Sequence, residues 1–303
     1  MLMGIGMAYS RVGFGLKRAK RWWVAVLALF PCLAWGMEIS SGDFQSILNS
    51  RADTLTVWNL ADNPKIFIFD FPGLALQGRT FNRVTQFTEQ VQANLGYPRV
   101  LTNDEVTKYM ESLRRTQANF AFGHDLLVNE LVQFYNLVDR DKVDLFPEEL
   151  ALRDFLLEQG LMKVWRNFYQ AIKPDVVILS IPQMQQKKVD EPPVSELARR
   201  AIFTHEISHG EYYTNQYYAT YCRRFWSETL NDAQREAFIN LFKKYNYAVT
   251  MEELLVNEMQ AYLMFTPDPN SFSARKLGIT DGELESLREM FRQGKPPTKL
   301  PLR

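Results

Sequence analysis

The chain contains three histidines, and two of them, His205 and His209, stand four residues apart with a glutamate directly after the first. On an α-helix, residues four apart lie one above the other, so both imidazoles can reach one metal ion. Glu206 projects about 100° round the same helix, where it can take a proton from water at that metal. The H-E-x-x-H pattern thus supplies two nitrogen ligands and a base, and a catalytic zinc would need one further protein ligand.

At 100° per residue, Ala198, Ala201, Ile202, His205 and His209 share about 100° of arc, a small apolar face that should turn into the fold. Two inward imidazoles need several hydrogen-bond partners, whereas a divalent metal satisfies both at once. For the third ligand, the informative stretch is 250–262. Thr250 and Glu253 have capping-box spacing, and Glu252 falls in the first turn, where the helix dipole favours a carboxylate. Glu258 has no such local explanation. It lies about 130° from the centre of the polar face formed by Glu253, Asn257 and Gln260, beside Leu254, Ala261 and Tyr262. A carboxylate there should be neutral, bound to metal, or paired with an arginine such as Arg199 or Arg223. Glu258 is the expected third ligand. Glu211 is nearer in sequence but falls off the histidine face, and His124, with no spaced partner, is expected to be structural or surface-exposed.

The elements that must carry these residues can be read in outline. Residues 66–71 and 175–182 are apolar runs closed by proline, and both read as strands. A polar loop over 183–193 leads into the H-E-x-x-H helix. Helices are expected near residues 44–48, over 79–95, from the Thr102–Glu105 capping box towards 119, and from Pro147 to Gly160, with residues 161–172 continuing as helix. The last third is helical over 217–226, 232–244, 251–265 and 281–293. The expected class is α+β, predominantly helical, with a small sheet packed on the H-E-x-x-H helix. It forms one domain over 37–303: a mostly helical part to 174, a metal-site core over 175–265, and a C-terminal helix and tail.

His205-Glu206-x-x-His209 on one helix, followed by Asn257-Glu258-x-x-Ala261-Tyr262 on a later one, resembles the zincin metallopeptidases of the gluzincin type. That resemblance covers roughly residues 175–265. It implies Zn2+ held by His205, His209 and Glu258, with Glu206 as general base. It also implies an edge strand just before the active helix that holds an extended peptide or protein substrate, which would place Val177, Ile178 and Leu179 against it. Asn257 and Tyr262 would support the ligands from behind. Aspartate stands at the offset of Tyr262 in some gluzincins, and no third histidine follows in the metzincin position.

Formal charge balances at 35 basic and 35 acidic residues. The first 37 residues hold five of the basic ones and no acid, so the remainder carries 30 against 35, a net of −5. A mildly acidic body without a basic run offers no footprint for nucleic acid. Lys17-Arg18-Ala19-Lys20-Arg21, the apolar stretch 22–35 and the small residues Ala34 and Gly36 read as a signal peptide over 1–36. The stretch is short for a membrane span, so a periplasmic or secreted protein without a stable span is expected, or a membrane-anchored one if the signal is not cleaved. Cleavage would leave Cys222 alone, a buried small residue by expectation. Two function classes follow: a zinc-dependent hydrolase acting on peptide or amide bonds, cell-wall peptide among the candidate substrates, or a non-catalytic binding or envelope-scaffold protein with a metal-stapled helical core.

Overall fold

The computed structural model describes residues 38–89 and 98–298. The expected signal segment, the end of the helix expected to reach residue 95, and the last five residues lie outside these. In chain order the elements begin β1 (Ile39–Gly42), α1 (Phe44–Asn49), β2 (Thr56–Leu60), β3 (Ile66–Phe71), α2 (Leu74–Glu89), α3 (Asn103–Ser112) and β4 (His124–Leu127). Then come α4 (Val128–Asp141), α5 (Pro147–Glu158), β5 (Met162–Trp165), β6 (Phe168–Ala171), β7 (Val177–Pro182) and α6 (Glu196–Thr214). The remainder is helical: α7 (Gln216–Arg224), a π-helical turn (Phe225–Thr229), α8 (Asp232–Lys244), α9 (Glu252–Phe265), α10 (Ala274–Leu277) and α11 (Asp281–Gly294). The class is α+β, with a mixed sheet ordered β1-β2-β3-β7-β4. β3 and β7 are parallel, and β4 runs antiparallel to β7.

Alternation along the central strands sorts side chains between two cores. Ile66, Ile68, Val177, Leu179 and Ile181 face α1 and α6, packing with Phe44, Ile47, Phe203 and Ile207. Phe69, Phe71 and Ile178 face the other way, towards Phe81, Val84, Leu131, Phe134 and Phe155 of α2, α4 and α5. Full burial of each such side chain contributes roughly 1.5–3 kcal/mol, so β7, buried on both faces, is the backbone of the fold. A third core joins α7 to α11 around Tyr218, Phe238, Phe242, Met259 and Phe291.

Helix α6 is held against the sheet by charge as well as by packing. Arg199, 1% exposed, makes two hydrogen bonds to Asp70 of β3 at 2.7 and 2.8 Å. Its remaining donors reach the carbonyls of Ile47, Leu48 and Pro182. Gly210 lets the helix lie close on β3, since a Cβ there would sit 2.6 Å from the Ile66 side chain. Ser195 caps the helix by accepting from the Ala198 amide.

Several expectations need correction. Residues 161–172 are not helix: β5 and β6 form an antiparallel hairpin, with Trp165 opposite Phe168. Gly160 at φ +61 ends α5, and Arg166 and Asn167 both take positive φ, as a tight two-residue hairpin turn requires. Apolar residues at 161, 162, 165, 168, 169 and 172 matched helical spacing by coincidence. Residues 37–174 are also less helical than expected, because they supply four of the five strands of the central sheet. Helix α2 begins at Leu74, directly after the Pro72-Gly73 turn, and α3 ends at Ser112, although its capping box forms as read. The Thr250–Glu253 box does not form. Met251 is the N-cap of α9 without a side-chain cap bond, and Glu253 instead meets Tyr212 and Arg223.

Candidate metal centre

Helix α9 crosses α6 and is tied to it by bonds along its length. Thr204 Oγ donates to the Phe265 carbonyl at 2.8 Å, and Gln260 Nε2 donates to Ser208 Oγ at 3.2 Å. The crossing brings His205, His209 and Glu258 together. Nε2 of His205 lies 3.7 Å from Glu258 Oε2, and Nε2 of His209 lies 4.0 Å from Glu258 Oε1. One donor atom from each of the three falls within 4.8 Å of the others. Tetrahedral ligands about 2.0–2.1 Å from one ion stand about 3.3 Å apart, so small side-chain rotations close the set.

The hydrogen bonds behind the rings assign their protons. Thr266 Oγ donates to the Ala261 carbonyl at 3.0 Å, so it accepts from His205 Nδ1 at 2.8 Å. Asn257 Oδ1 receives Gln260 Nε2 at 3.3 Å, and it is likewise an acceptor for His209 Nδ1 at 2.9 Å. Both rings therefore carry the proton on Nδ1 and turn a lone pair on Nε2 towards Glu258. Burial, with His209 beside it, holds His205 well below the usual imidazole range and so neutral. Burial opposes charge on His209 too, but Asp125, Glu258 and Asn257 outweigh it and raise its pKa.

The arginine partners that could have neutralised Glu258 are engaged elsewhere: Arg199 with Asp70, and Arg223 with Glu253. Glu258 is 2% exposed, and burial, with Asp125, pushes its carboxyl up to about 7 against the pull of His209 and of the Tyr247 hydroxyl bonded to it. Its Oε2 and that of Glu206 have no hydrogen-bond partner among the described residues. Orphaned, buried carboxylate oxygens beside two imidazole lone pairs are what a divalent cation would satisfy. The donor set fits the group that the motif implied.

Glu206 points from α6 towards β4. A Cβ on Gly123 would lie 2.1 Å from Glu206 Oε1, so the carboxyl packs directly on the glycine backbone. Burial first, then Asp125 and Glu258, raise its pKa well above the ordinary carboxylate value. The centre lies in a cavity of about 620 Å³, walled by β4, α6, the end of α2, the loop after α8, and α9. Ala198, Ala201 and Ile202 line it beside the histidines, so the small apolar face of α6 turns into this cavity while Phe203 and Ile207 take the sheet.

The structure brings together His205, Glu206, His209 and Glu258, with Asn257 behind His209. Tyr262 packs edge-on against His205 at 4.8 Å between ring centroids. Val177, Ile178 and Leu179 are not at the site. Each is fully buried, and β7 is paired on both sides, by β3 and by β4, so its main chain has no free edge for a substrate. The strand beside the centre is β4; its His124 and Asp125, with Gly123 just before it, line the cavity. His124 is structural, as expected: it bonds Ser180 at 2.6 Å and Asn82 at 2.9 Å, and burial lowers its pKa to about 3.

Sequence reasoning missed Asp125, Glu89 and Tyr247. Asp125 Oδ1 is 3.9 Å from His209 Nε2, and Asp125, Glu206 and His209 form a second convergent set of donors. Its signal was a lone acid leading into the apolar run Leu126-Leu127-Val128. Glu89 lines the cavity from the end of α2, its pKa raised by burial and then by Asp125, Glu258, Glu206 and Glu130. Glu211, the rival ligand, bonds Asn215 instead. No family model matches the chain, and neither a curated protein nor a solved structure matches it.

Proposed function

We propose that this chain is a zinc-dependent hydrolase of the H-E-x-x-H type, a metallopeptidase cleaving a peptide or related amide bond. The observation that carries this reading is the convergence of His205 Nε2, His209 Nε2 and the Glu258 carboxylate, whose Oε2 is unpartnered, with a second unpartnered carboxylate oxygen, Glu206 Oε2, beside them. His205, His209 and Glu258 would hold the metal. A zinc ion there supplies Lewis acidity, polarising a carbonyl oxygen and acidifying a water.

The chain's own groups do the rest. Glu206, with its raised proton affinity, takes the proton from the attacking water and returns it to the leaving amine nitrogen. Thr266 and Asn257 keep the imidazole protons on Nδ1, away from the metal side. An extended substrate is best accommodated along β4, the edge strand beside Glu206, by main-chain pairing. This replaces the interior strand β7 in that role. A zincin-like arrangement is in keeping with an edge strand antiparallel to its neighbour and followed in space by the H-E-x-x-H helix. The basic and apolar N-terminal segment supports export, which makes peptides outside the cytoplasm the natural substrate class.

The test pairs metal content with turnover on a peptide library. Glu206→Gln should retain about one equivalent of zinc and lose hydrolysis, while His205→Ala loses both. A Glu206→Gln protein as active as the parent overturns the assignment. A parent that takes up no metal from zinc-replete medium points instead to the non-catalytic scaffold.

A further inference from the structure

The β5–β6 hairpin stands apart from the cavity and has no part in the chemistry proposed above. Its surface is unusual. Val164, Trp165, Phe168 and Ile172 are 57, 52, 64 and 48% exposed, an apolar concentration that folded surfaces rarely leave open without use. Residues 161–173 contain Lys163, Arg166 and Lys173 and no acid. Both Lys163 Nζ and the Arg166 guanidinium lie 5.6 Å from the Trp165 ring.

The register arranges these residues by face. Trp165 and Phe168 are directly opposite at the last rung before the turn, and Lys163 stands two residues back on the same side. The other side carries Met162, Val164, Tyr169 and Ala171, and Tyr169 and Ala171 pack on the core beneath α4. The acids Asp139 and Asp154 act on Tyr169, on that inner side. The outward side is therefore aromatic at its tip and basic around it.

The hairpin is mounted firmly. Asn136 of α4 donates to the Tyr169 carbonyl at 2.9 Å and accepts from its amide at 2.8 Å. Those bonds occupy main-chain groups of β6 that would otherwise template another strand, which argues against strand addition at this edge. With the Val164–Tyr169 rung fixed on α4, the half-exposed last rung, Trp165 and Phe168, and the Arg166-Asn167 turn are what the hairpin presents to a headgroup layer. A convex tip with two aromatics needs no matching groove if its partner is deformable.

We infer that the β5–β6 hairpin is a docking element for an anionic lipid surface: Trp165 and Phe168 enter the interfacial layer, and Lys163 and Arg166, both beside the Trp165 ring, face the lipid phosphates. Interfacial aromatics flanked by cations are the composition that such a surface selects. The hairpin would hold the protein at a membrane face without crossing it. Among the described residues no helix is long and apolar enough to span a bilayer.

The purified full chain is sedimented with vesicles of equal parts phosphatidylglycerol and phosphatidylcholine, and with phosphatidylcholine alone. Binding should favour the anionic vesicles by on the order of tenfold or more, and weaken between about 0.1 M and about 1 M salt. The W165A/F168A protein should lose most of that binding with its circular dichroism and Tm unchanged. The K163E/R166E protein should lose the preference for anionic lipid. Parent and variants share the same N-terminal segment, so it cannot account for a difference between them. Equal binding by parent and variants overturns the inference, as does failure of the parent to bind anionic vesicles. A parent dimer that W165A/F168A converts to monomer also overturns it, assigning the patch to a second copy of the chain.

Discussion

Nδ1 of His209 lies 2.9 Å from Oδ1 of Asn257, one residue before the carboxylate that faces the same ring from its other side. One turn of α9 thus supplies both the proposed third ligand and the group that fixes the tautomer of His209. Replacing Asn257 with leucine should leave α9 packed but free the His209 ring, lowering zinc affinity about 10–100-fold. Asn257→Asp keeps the acceptor and should keep the affinity. Competition against a chelator of known strength reads both; equal affinity in parent and Asn257→Leu would show the bond to be incidental.

Gly123 and Glu206 are in contact across the cavity wall. Gly123→Ala puts a Cβ where Glu206 Oε1 now sits, so the carboxyl must move. Displacement of a general base by about 1 Å can cost on the order of a hundredfold in rate. The expected result is a folded protein with full zinc content and kcat down by at least about that factor. An unimpaired Gly123→Ala enzyme would mean that Glu206 is not the base.

The Arg199–Asp70 pair is nearly sealed from solvent, at 1 and 0% side-chain exposure. Removing one partner leaves a buried charge uncompensated, so Arg199→Met should destabilise by about 3–5 kcal/mol in urea unfolding. Asp70→Asn together with Arg199→Met should recover part of the loss. Because α6 carries both histidines, the single variant should also bind zinc more weakly.

Zinc binding should couple to pH through Glu258. In the metal-free protein burial pushes this carboxyl up to about 7, above its ordinary 4.5. A raised carboxyl pKa stabilises the folded state fully below about 4.5 and loses that contribution as pH rises through about 7. Metal requires the ionised form, so affinity rises across the same interval. The gap in Tm between zinc-loaded and metal-free protein should therefore widen from about pH 5 to about pH 8. A gap that stays constant with pH would remove Glu258 from the ligand set.

The candidate site was legible in unequal parts. His205 and His209 were readable because helical spacing converts sequence separation directly into geometry. Glu258 was singled out by setting it opposite a polar face of Glu253, Asn257 and Gln260, but Asn257 and Gln260 are as buried as Glu258 and bond inward to His209, Tyr218 and Ser208, and Glu253 belongs to Arg223 and Tyr212 rather than to a capping box. The wheel also read the small face of α6 correctly, through Ala198, Ala201 and Ile202. Residues 161–172 failed because one set of apolar positions satisfied helical spacing, while the turn at Arg166-Asn167 lacks the glycine that usually announces a hairpin.

The sequence by itself determined what depends on near neighbours: two imidazoles one turn apart with a carboxyl between them, two buried strands, and an orphan carboxylate on a later helix. Tertiary structure alone decided that β7 lies inside the sheet and β4 at its edge, that Asp125 and Gly123 reach the candidate metal centre, and that Arg199 belongs to Asp70. These relations join segments tens to more than a hundred residues apart. They are set by strand order and helix crossing, where the free energy comes from burial summed over the whole core and not from any local pattern.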